Sequence, residues 1–407
     1  MQIVNRIDNL QRILYYYHMI KRKMAEKLKV MAKKFPVVSV MGPRQSGKTT
    51  LVKAVFPEKD YVSLEDPDNR EFALSDPRGF LASYPAGAIF DEIQRAPDLF
   101  SYIQTLVDAK ELPGFFILTG SNNYLLQERI TQTLAGRVAI LKLLPLSMEE
   151  LFDTGYEINN YEEVLYRGLY PRIYDKDIEP ELWYPGYIQT YVERDVRLIK
   201  NITDLGAFQK FIKLCAGRTG QILNLSSLGN DCGINHNTAK SWISILESSF
   251  IIFLLQPYHE SFNKRIIKSP KLYFYDTGLL TSLLGIESEM QVSTHYLKGN
   301  LFESLIISEL LKSRFNSGLQ PRIYYWRDSS GNEVDCLLEN AGRLTPVEIK
   351  SGKTVAADFF KGLNLFGKLA GDKVSRSYLV YGGNDIQDRA VGKVLGWRDV
   401  TSIFLAE

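Results

Sequence analysis

Apolar residues along this chain follow two rhythms. Short runs of adjacent β-branched and aromatic residues read as buried strands at residues 37–41, 59–64, 88–92, 115–122 and 138–143. Between them the apolar spacing changes to three and four. Leu51, Val52, Ala54 and Val55 start one helix, two short helices follow around 69–74 and 77–83, and Leu99, Tyr102, Ile103, Leu106 and Val107 place another over 96–109. Strands alternating with helices predict a parallel sheet of the α/β class.

After residue 145 the pattern changes. Helices with aromatic packing are expected over 149–170 and 183–200. The charges of Tyr191-Val192-Glu193-Arg194-Asp195-Val196-Arg197 fall at helical spacings suited to pairing within the helix. A short helix begins at Leu225 and stops near Gly233, and a second runs over 236–248 with Ala239, Trp242, Ile243, Leu246 and Phe250 on one stripe. His236, Asn237, Thr238, Lys240, Ser241 and Ser244 lie on its other side. Strand-like runs at 250–256 and 271–275 complete a helix-turn-helix with a wing, and Lys264, Arg265, Lys268 and Lys271 give that wing a basic edge. The same module serves equally as a protein contact, because the exposed helix face carries one lysine and no arginine. From residue 298 a helix bearing Phe302, Glu303, Leu305 and Ile306 leads to strands at 323–327, 333–338 and 346–350 and a helix near 356–369. The expected division is an extension at 1–18, a core at 19–145, a helical lid and connector at 146–205, a winged-helix-like domain at 206–288 and a last α+β domain at 289–407.

Composition narrows this little. The chain has 407 residues, enough for two or three domains, and its 49 basic against 47 acidic residues give a net charge of +2. That balance neither demands nor excludes a nucleic-acid partner. Cys215, Cys232 and Cys336 have no CxxC spacing, so neither a disulfide framework nor a zinc site is expected, and a reducing cytoplasm is the natural location. No apolar run reaches membrane-spanning length, so no membrane partner is expected. Residues 1–30 mix Ile, Leu and Tyr with Lys and Arg and read as an amphipathic helix rather than a signal peptide.

The chemistry lies at the strand ends. The first strand runs into Gly42-Pro43-Arg44-Gln45-Ser46-Gly47-Lys48-Thr49-Thr50, a G-x-x-x-x-G-K-T loop that opens a helix. Glycines there let backbone N–H groups and the helix N-terminus surround phosphate oxygens. Lys48 is expected at the β/γ-phosphates of ATP and the Thr49 hydroxyl on Mg²⁺. Asp91 and Glu92 end a later strand. Asp91 is the expected second Mg²⁺ ligand, and Glu92 the group that polarises the attacking water. Ser121 and Asn122 end the strand at 115–122; in P-loop ATPases with a strand inserted between those two motifs a polar residue at this place senses the γ-phosphate, which makes both candidates, with a plain helix cap the rival for Ser121. Arg137 is read either as an arginine finger or as a surface arginine, and a finger acting in trans would require a homo-oligomer.

The stretches GPRQSGKTT, AIFDEIQRAPDLF, FILTGSNN and TLAGRVAILKLLPLS resemble a family of prokaryotic AAA+-type ATPases in which a domain of unknown function follows the ATPase module. YVERDVRLIKNI, FYDTGLL and the C-terminal region are similar to that following domain. The resemblance spans nearly everything after about residue 19 and implies an additional-strand P-loop NTPase fold.

Near the C-terminus the period-two pattern puts Glu348 and Lys350 on one face of a strand, with Asp335 on a neighbouring strand. An acid followed by E-x-K resembles the PD-(D/E)xK nucleases, a restriction-endonuclease-like fold. That resemblance implies that Asp335 and Glu348 hold a divalent metal, that Lys350 positions the nucleophile, and that Glu303 adds a ligand. Together these features predict an ATP- and Mg²⁺-dependent ATPase coupled to nucleic acid, DNA before RNA. Its rival is a nucleotide-switched regulator whose last domain cuts nothing.

Overall fold

A computed structural model of the chain describes residues 20–121, 132–196, 202, 204–259 and 267–405. The expected extension at 1–18, Asn122, and the wing residues Lys264 and Arg265 lie outside the described residues, as do the side chains of Glu193, Arg194, Asp195 and Arg197. None of the described helices is long and apolar enough to cross a membrane.

Five strands, β1 (Val37–Met41), β2 (Asp60–Ser63), β3 (Ala88–Asp91), β4 (Phe116–Gly120) and β5 (Val138–Lys142), form one sheet in the order β2-β3-β4-β1-β5. All its pairings are parallel. The strand that follows β3 in the chain inserts between β3 and β1, the additional-strand order. Strands β1, β3 and β4 are buried along their whole length, which is why they read as continuous apolar runs rather than alternating ones. Helix Met24–Ala32 precedes β1 and packs Met24 and Leu28 into the core formed with Val38, Val40 and Leu51.

The connector is more broken than its aromatic content suggested. Residues 149–170 do not form one helix: Met148–Phe152 and Tyr161–Arg167 are separate helices, and Pro171–Asp175 is a third. Gly155 and Gly168, with φ of 78° and 64°, supply left-handed turns that an apolar count does not register. Helix Pro180–Tyr187 passes into a π-helix at Ile188–Val196.

The next unit runs helix Leu205–Ala216, β6 (Gln221–Ile222), helix Leu225–Cys232, helix His236–Ser248, β7 (Ile252–Leu255) and β8 (Lys271–Phe274), with antiparallel sheet order β6-β8-β7. Ala239, Trp242, Ile243 and Leu246 bury the inner stripe of the second long helix as expected, while His236, Asn237, Lys240 and Ser244 are exposed.

Helix Lys298–Asn316 opens the last unit. Behind it β9 (Ile323–Arg327), β10 (Glu333–Asn340), β11 (Arg343–Lys350), β12 (Tyr378–Tyr381), β13 (Gln387–Asp388) and β14 (Lys393–Gly396) form a mixed sheet in the order β13-β14-β12-β11-β10-β9. The expected three-strand sheet is thus extended by three more strands. β12 joins β11 in parallel through the buried run Tyr378-Leu379-Val380-Tyr381.

The Lys298–Asn316 helix also reaches back to the first sheet. Its side chains Glu309 and Lys312 are 0% and 2% exposed and pair at 2.7 Å. Lys312 Nζ donates to the Leu146 carbonyl at 2.9 Å, and the Met148 N–H donates to Glu309 Oε2 at 2.7 Å. A buried ion pair is tolerated when its remaining donors and acceptors are satisfied, and removing one partner strands the other charge. Lys312→Met is therefore expected to destabilise the chain by about 3–5 kcal/mol. Urea titration followed by tryptophan fluorescence measures this, and an unchanged midpoint contradicts it.

Candidate functional site

Strand β1 delivers the Gly42–Thr50 loop to the C-terminal edge of the sheet, where β3 delivers Asp91. Two glycines make the loop possible. A Cβ on Gly42 would stand 2.0 Å from the Leu143 carbonyl oxygen, and Gly47 takes φ 91° as it enters helix Lys48–Val55. Gln45, in the same loop, also lies in the left-handed region at φ 61°. Lys48 is buried and donates to the Gly42 and Pro43 carbonyls at 3.0 and 2.8 Å. Burial pushes its ammonium pKa below the usual lysine value, against the attraction of Glu92 and Asp91. Ser46 Oγ is buried and unpartnered among the described residues, an orphan polar atom inside the phosphate loop. Arg44 pairs with Glu65 at 3.2 Å at the rim, and its carbonyl accepts the Tyr187 hydroxyl at 3.4 Å. Thr50 is half-buried one residue further along the helix.

The Asp91 carboxylate gathers hydroxyls from three elements. Thr49 Oγ1 donates to Oδ2 at 2.9 Å, Tyr61 from β2 donates to the same oxygen at 2.7 Å, and Thr119 from β4 donates to Oδ1. Burial, and then the hydrogen bond to Asp91, raise the Tyr61 pKa well above the phenol value, which keeps that proton in place. Glu92 adopts φ 55°, a left-handed conformation costly for a residue with a Cβ. Its backbone N–H donates to Thr119 Oγ1 at 3.3 Å, and its Oε2 accepts from Ser121 Oγ at 2.9 Å and from Gln94 Nε2. Lys48, Thr49, Asp91, Glu92 and Ser121 thus meet at one edge. The donor set fits a nucleotide phosphate with a hard cation: a hydroxyl and a carboxylate lie in contact beside a lysine and a glycine loop.

Arg137 is elsewhere. It precedes Val138, which pairs with Val37 at the start of β1, whereas the phosphate loop leaves β1 after Met41, the partner of Lys142. It forms a two-pronged pair with exposed Asp108, with Nη2 at 2.9 Å. Of the two readings of Arg137, its place in its own chain is that of a surface arginine paired with Asp108, away from the phosphate loop. Spacing along a chain does not say which end of a strand a residue occupies.

The second cluster forms between β10 and β11. Lys350 Nζ lies 3.0 Å from Asp335 Oδ2 and 2.6 Å from Glu348 Oε1, and the Ile349 N–H donates to Asp335 Oδ2 at 2.9 Å. Burial, and then the Asp335 charge, push the Glu348 pKa up to about 8, and its Oε2 is buried without a partner among the described residues. For Lys350 burial works against the charge, but Asp335 and Glu348 outweigh it and raise its pKa. Glu303 does not join this group by hydrogen bond. Its Oε1 accepts from Lys271 Nζ at 3.0 Å and from the Tyr273 hydroxyl, both on β8, and Lys271 also pairs with Glu333. Among the described residues no three acidic, histidine or cysteine side chains are gathered to hold a metal; Glu303 feels the Asp335 charge, while its carboxylate is held by Lys271 and Tyr273.

Several participants carried no signal of their role in the sequence. Gln94 reaches Glu92 two residues before it, Lys271, expected on the basic edge of the wing, is buried against Glu303 and Glu333 instead, and Tyr61 and Thr119 enter through contacts with residues far along the chain. So does Arg22, whose guanidinium donates to the Ser46 carbonyl at 2.5 Å.

Residues 34–152 match the AAA domain family. Residues 158–290 match a domain of unknown function (DUF8612), and residues 298–399 match another (DUF4143). The uncharacterized proteins Rv2008c of Mycobacterium tuberculosis and Mb2031c of Mycobacterium bovis are each 30% identical over 339 residues, which covers 82% of this chain and 74% of theirs. The uncharacterized protein MJ1637 of Methanocaldococcus jannaschii is 24% identical over 330 residues, covering 68% of this chain and 67% of its own. Among solved structures, the Walker-type ATPase PABY2304 of Pyrococcus abyssi aligns with a TM-score of 0.45 at 15% identity, over 65% of this chain and 96% of its own. The AAA match and the parallel sheet make the first unit an α/β P-loop NTPase fold of the AAA type.

The Glu348 carboxyl has its pKa raised on folding, so folding takes up a proton between the ordinary carboxylate range and about pH 8. Stability from this group is full below the unfolded pKa and is lost as pH rises through about 8. With EDTA present, the melting temperature of the wild type is expected to fall between pH 6 and 9, and that of Glu348→Gln to fall less. Parallel pH profiles contradict this.

Proposed function

This chain belongs to the same family as the mycobacterial proteins Rv2008c and Mb2031c, and from that premise we propose that it is a Mg²⁺-dependent ATPase whose C-terminal half acts on nucleic acid. The observation that carries the ATPase reading is the meeting of Thr49, Asp91 and Glu92 beside the Gly42–Thr50 loop. In this reading the loop's N–H groups and Lys48 bind the β/γ-phosphates once the lysine leaves the Gly42 and Pro43 carbonyls. Thr49 and Asp91 would hold Mg²⁺, which supplies charge neutralisation at the phosphates. Glu92 orients water and receives its proton on leaving Ser121 and Gln94, while Ser121 and Asn122 report the γ-phosphate. Arg137 faces away from its own site, so an arginine finger would come from a neighbouring copy in a homo-oligomer.

We read residues 19–145 as the ATPase core, 146–205 as lid and connector, 206–288 as a winged helix and 289–407 as a nuclease-like domain. The helix and strand order of the middle unit, its β6-β8-β7 sheet and its exposed His236–Ser248 face support DNA contact. Asp335 and Glu348 on adjoining strands, with Lys350 between them, support a nuclease-like site for Mg²⁺. A second reading is favoured by the same ammonium: Lys350 occupies both carboxylates, and Lys271 occupies Glu303. In that reading the chain is a nucleotide-switched regulator with a catalytically inactive last domain. The buried, free cysteines fit a cytoplasmic setting.

The purified chain is expected to hydrolyse ATP only with a divalent cation. Glu92→Gln keeps nucleotide binding and loses about 100-fold or more in kcat, and Lys48→Ala loses binding of a fluorescent ATP analogue. Unchanged turnover in Glu92→Gln removes Glu92 from the mechanism. Incubation with plasmid, single-stranded DNA and RNA, with Mg²⁺ or Mn²⁺ and with or without ATP, separates the two readings of the last domain. Cleavage by the wild type that Asp335→Ala abolishes supports the nuclease, and no cleavage by the wild type supports the regulator.

A further inference from the structure

A phosphate loop works because successive backbone N–H groups point inward. Each trans peptide then turns the preceding carbonyl outward, since the two groups lie in one plane on opposite sides. An outward carbonyl in a buried loop needs a donor behind it. At the Ser46–Gly47 peptide that donor is Arg22. Its Nη1 meets the Ser46 oxygen at 2.5 Å, and a Cβ on Gly47 would come within 3.3 Å of the same nitrogen. The arginine is itself fixed: Nη2 donates to the Leu144 carbonyl at 2.7 Å and Nε to Glu150 Oε1 at 3.1 Å, and the side chain is 7% exposed. Glu150 is fully buried and is held by the Lys23 N–H at 2.7 Å and by the Ser147 N–H at 2.9 Å. Three donors of one planar group therefore tie together the loop, the segment after β5 and a buried carboxylate.

A staple between residues 22 and 144–150 alone would not need to enter the loop. We propose that Arg22 is a positioning residue of the phosphate loop: by holding the Ser46 carbonyl outward it aims the Gly47 N–H at the phosphates. The proposal rests on the nucleotide-binding reading above. Arg22 touches no phosphate in this role, so its loss weakens ATP binding more than it slows the chemical step.

The test uses the full chain. Arg22→Ala is expected to raise the Kd of a fluorescent Mg·ATP analogue and the KM for ATP about tenfold or more, with kcat within about threefold. Arg22→Lys, which can serve one carbonyl but not all three partners, recovers part of that loss. Ethylguanidinium at millimolar concentration restores KM to Arg22→Ala and leaves the wild type unchanged. Ser147→Ala breaks the helix cap of the same segment, where Ser147 Oγ accepts the Glu150 N–H at 3.2 Å, without touching the Arg22 contacts. It is expected to lower the melting temperature and leave KM alone. An unchanged KM in Arg22→Ala, or the same KM rise in Ser147→Ala at an equal loss of melting temperature, overturns the proposal. A wild type that binds no nucleotide overturns the nucleotide reading and this proposal together; a wild type that binds as expected beside an unaffected Arg22→Ala overturns this proposal alone.

Discussion

The first half of the molecule is arranged around one carboxylate. Asp91 is 7% exposed, and burying an anion costs several kcal/mol unless donors surround it. The donors here are hydroxyls: Thr49 from the helix after the phosphate loop, Tyr61 from β2 and Thr119 from β4. Each comes from a different element, so satisfying Asp91 fixes the loop, the edge strand and the inserted strand relative to one another. Hydroxyls also leave the set exchangeable. A neutral donor such as the Thr49 hydroxyl gives way to a cation at far smaller cost than a buried arginine would. The same constraint places Glu92, whose backbone N–H is held by Thr119 and whose left-handed φ turns its side chain toward Ser121 and Gln94.

From the phosphate loop a series of buried and half-buried polar contacts runs to the last unit. Ser46 leads to Arg22, Arg22 to Glu150, and the Ser147–Glu150 capping box carries the Met148 N–H to Glu309, which pairs with Lys312 on helix Lys298–Asn316. Glu303, beside the second carboxylate cluster, lies on that same helix. These contacts join the sheet edge that carries the phosphate loop to the C-terminal unit.

Features set by local chemistry were legible in the sequence. The glycine loop, the acids closing β3 and the period-two pairing of Glu348 with Lys350 all depend on neighbours a few residues away, and the structure places them as spacing implies. Helix His236–Ser248 was legible for the same reason, since its stripe repeats at the helical period. What escaped was whatever depends on which distant element arrives next to which. Arg22 is one of many basic residues near the start of the chain, and nothing in its surroundings announces Ser46 or Glu150. Arg137 was left open between an arginine finger and a surface arginine, because the sequence does not say that β5, which starts just after it, starts at the far edge from a loop that follows β1. Glu303 was assigned to Asp335 and Glu348, while Lys271 and Tyr273 from β8 claim its carboxylate first.

In the proposed function a cation enters between Thr49 and Asp91 together with the nucleotide phosphates. Mn²⁺ in place of Mg²⁺ makes that directly visible by electron–nuclear double resonance on the complex with a non-hydrolysable ATP analogue. ³¹P couplings from the bound nucleotide are expected in the wild type and are lost in Thr49→Ala and in Asp91→Asn. A Mn²⁺ signal without ³¹P coupling, or coupling that survives both substitutions, would contradict it.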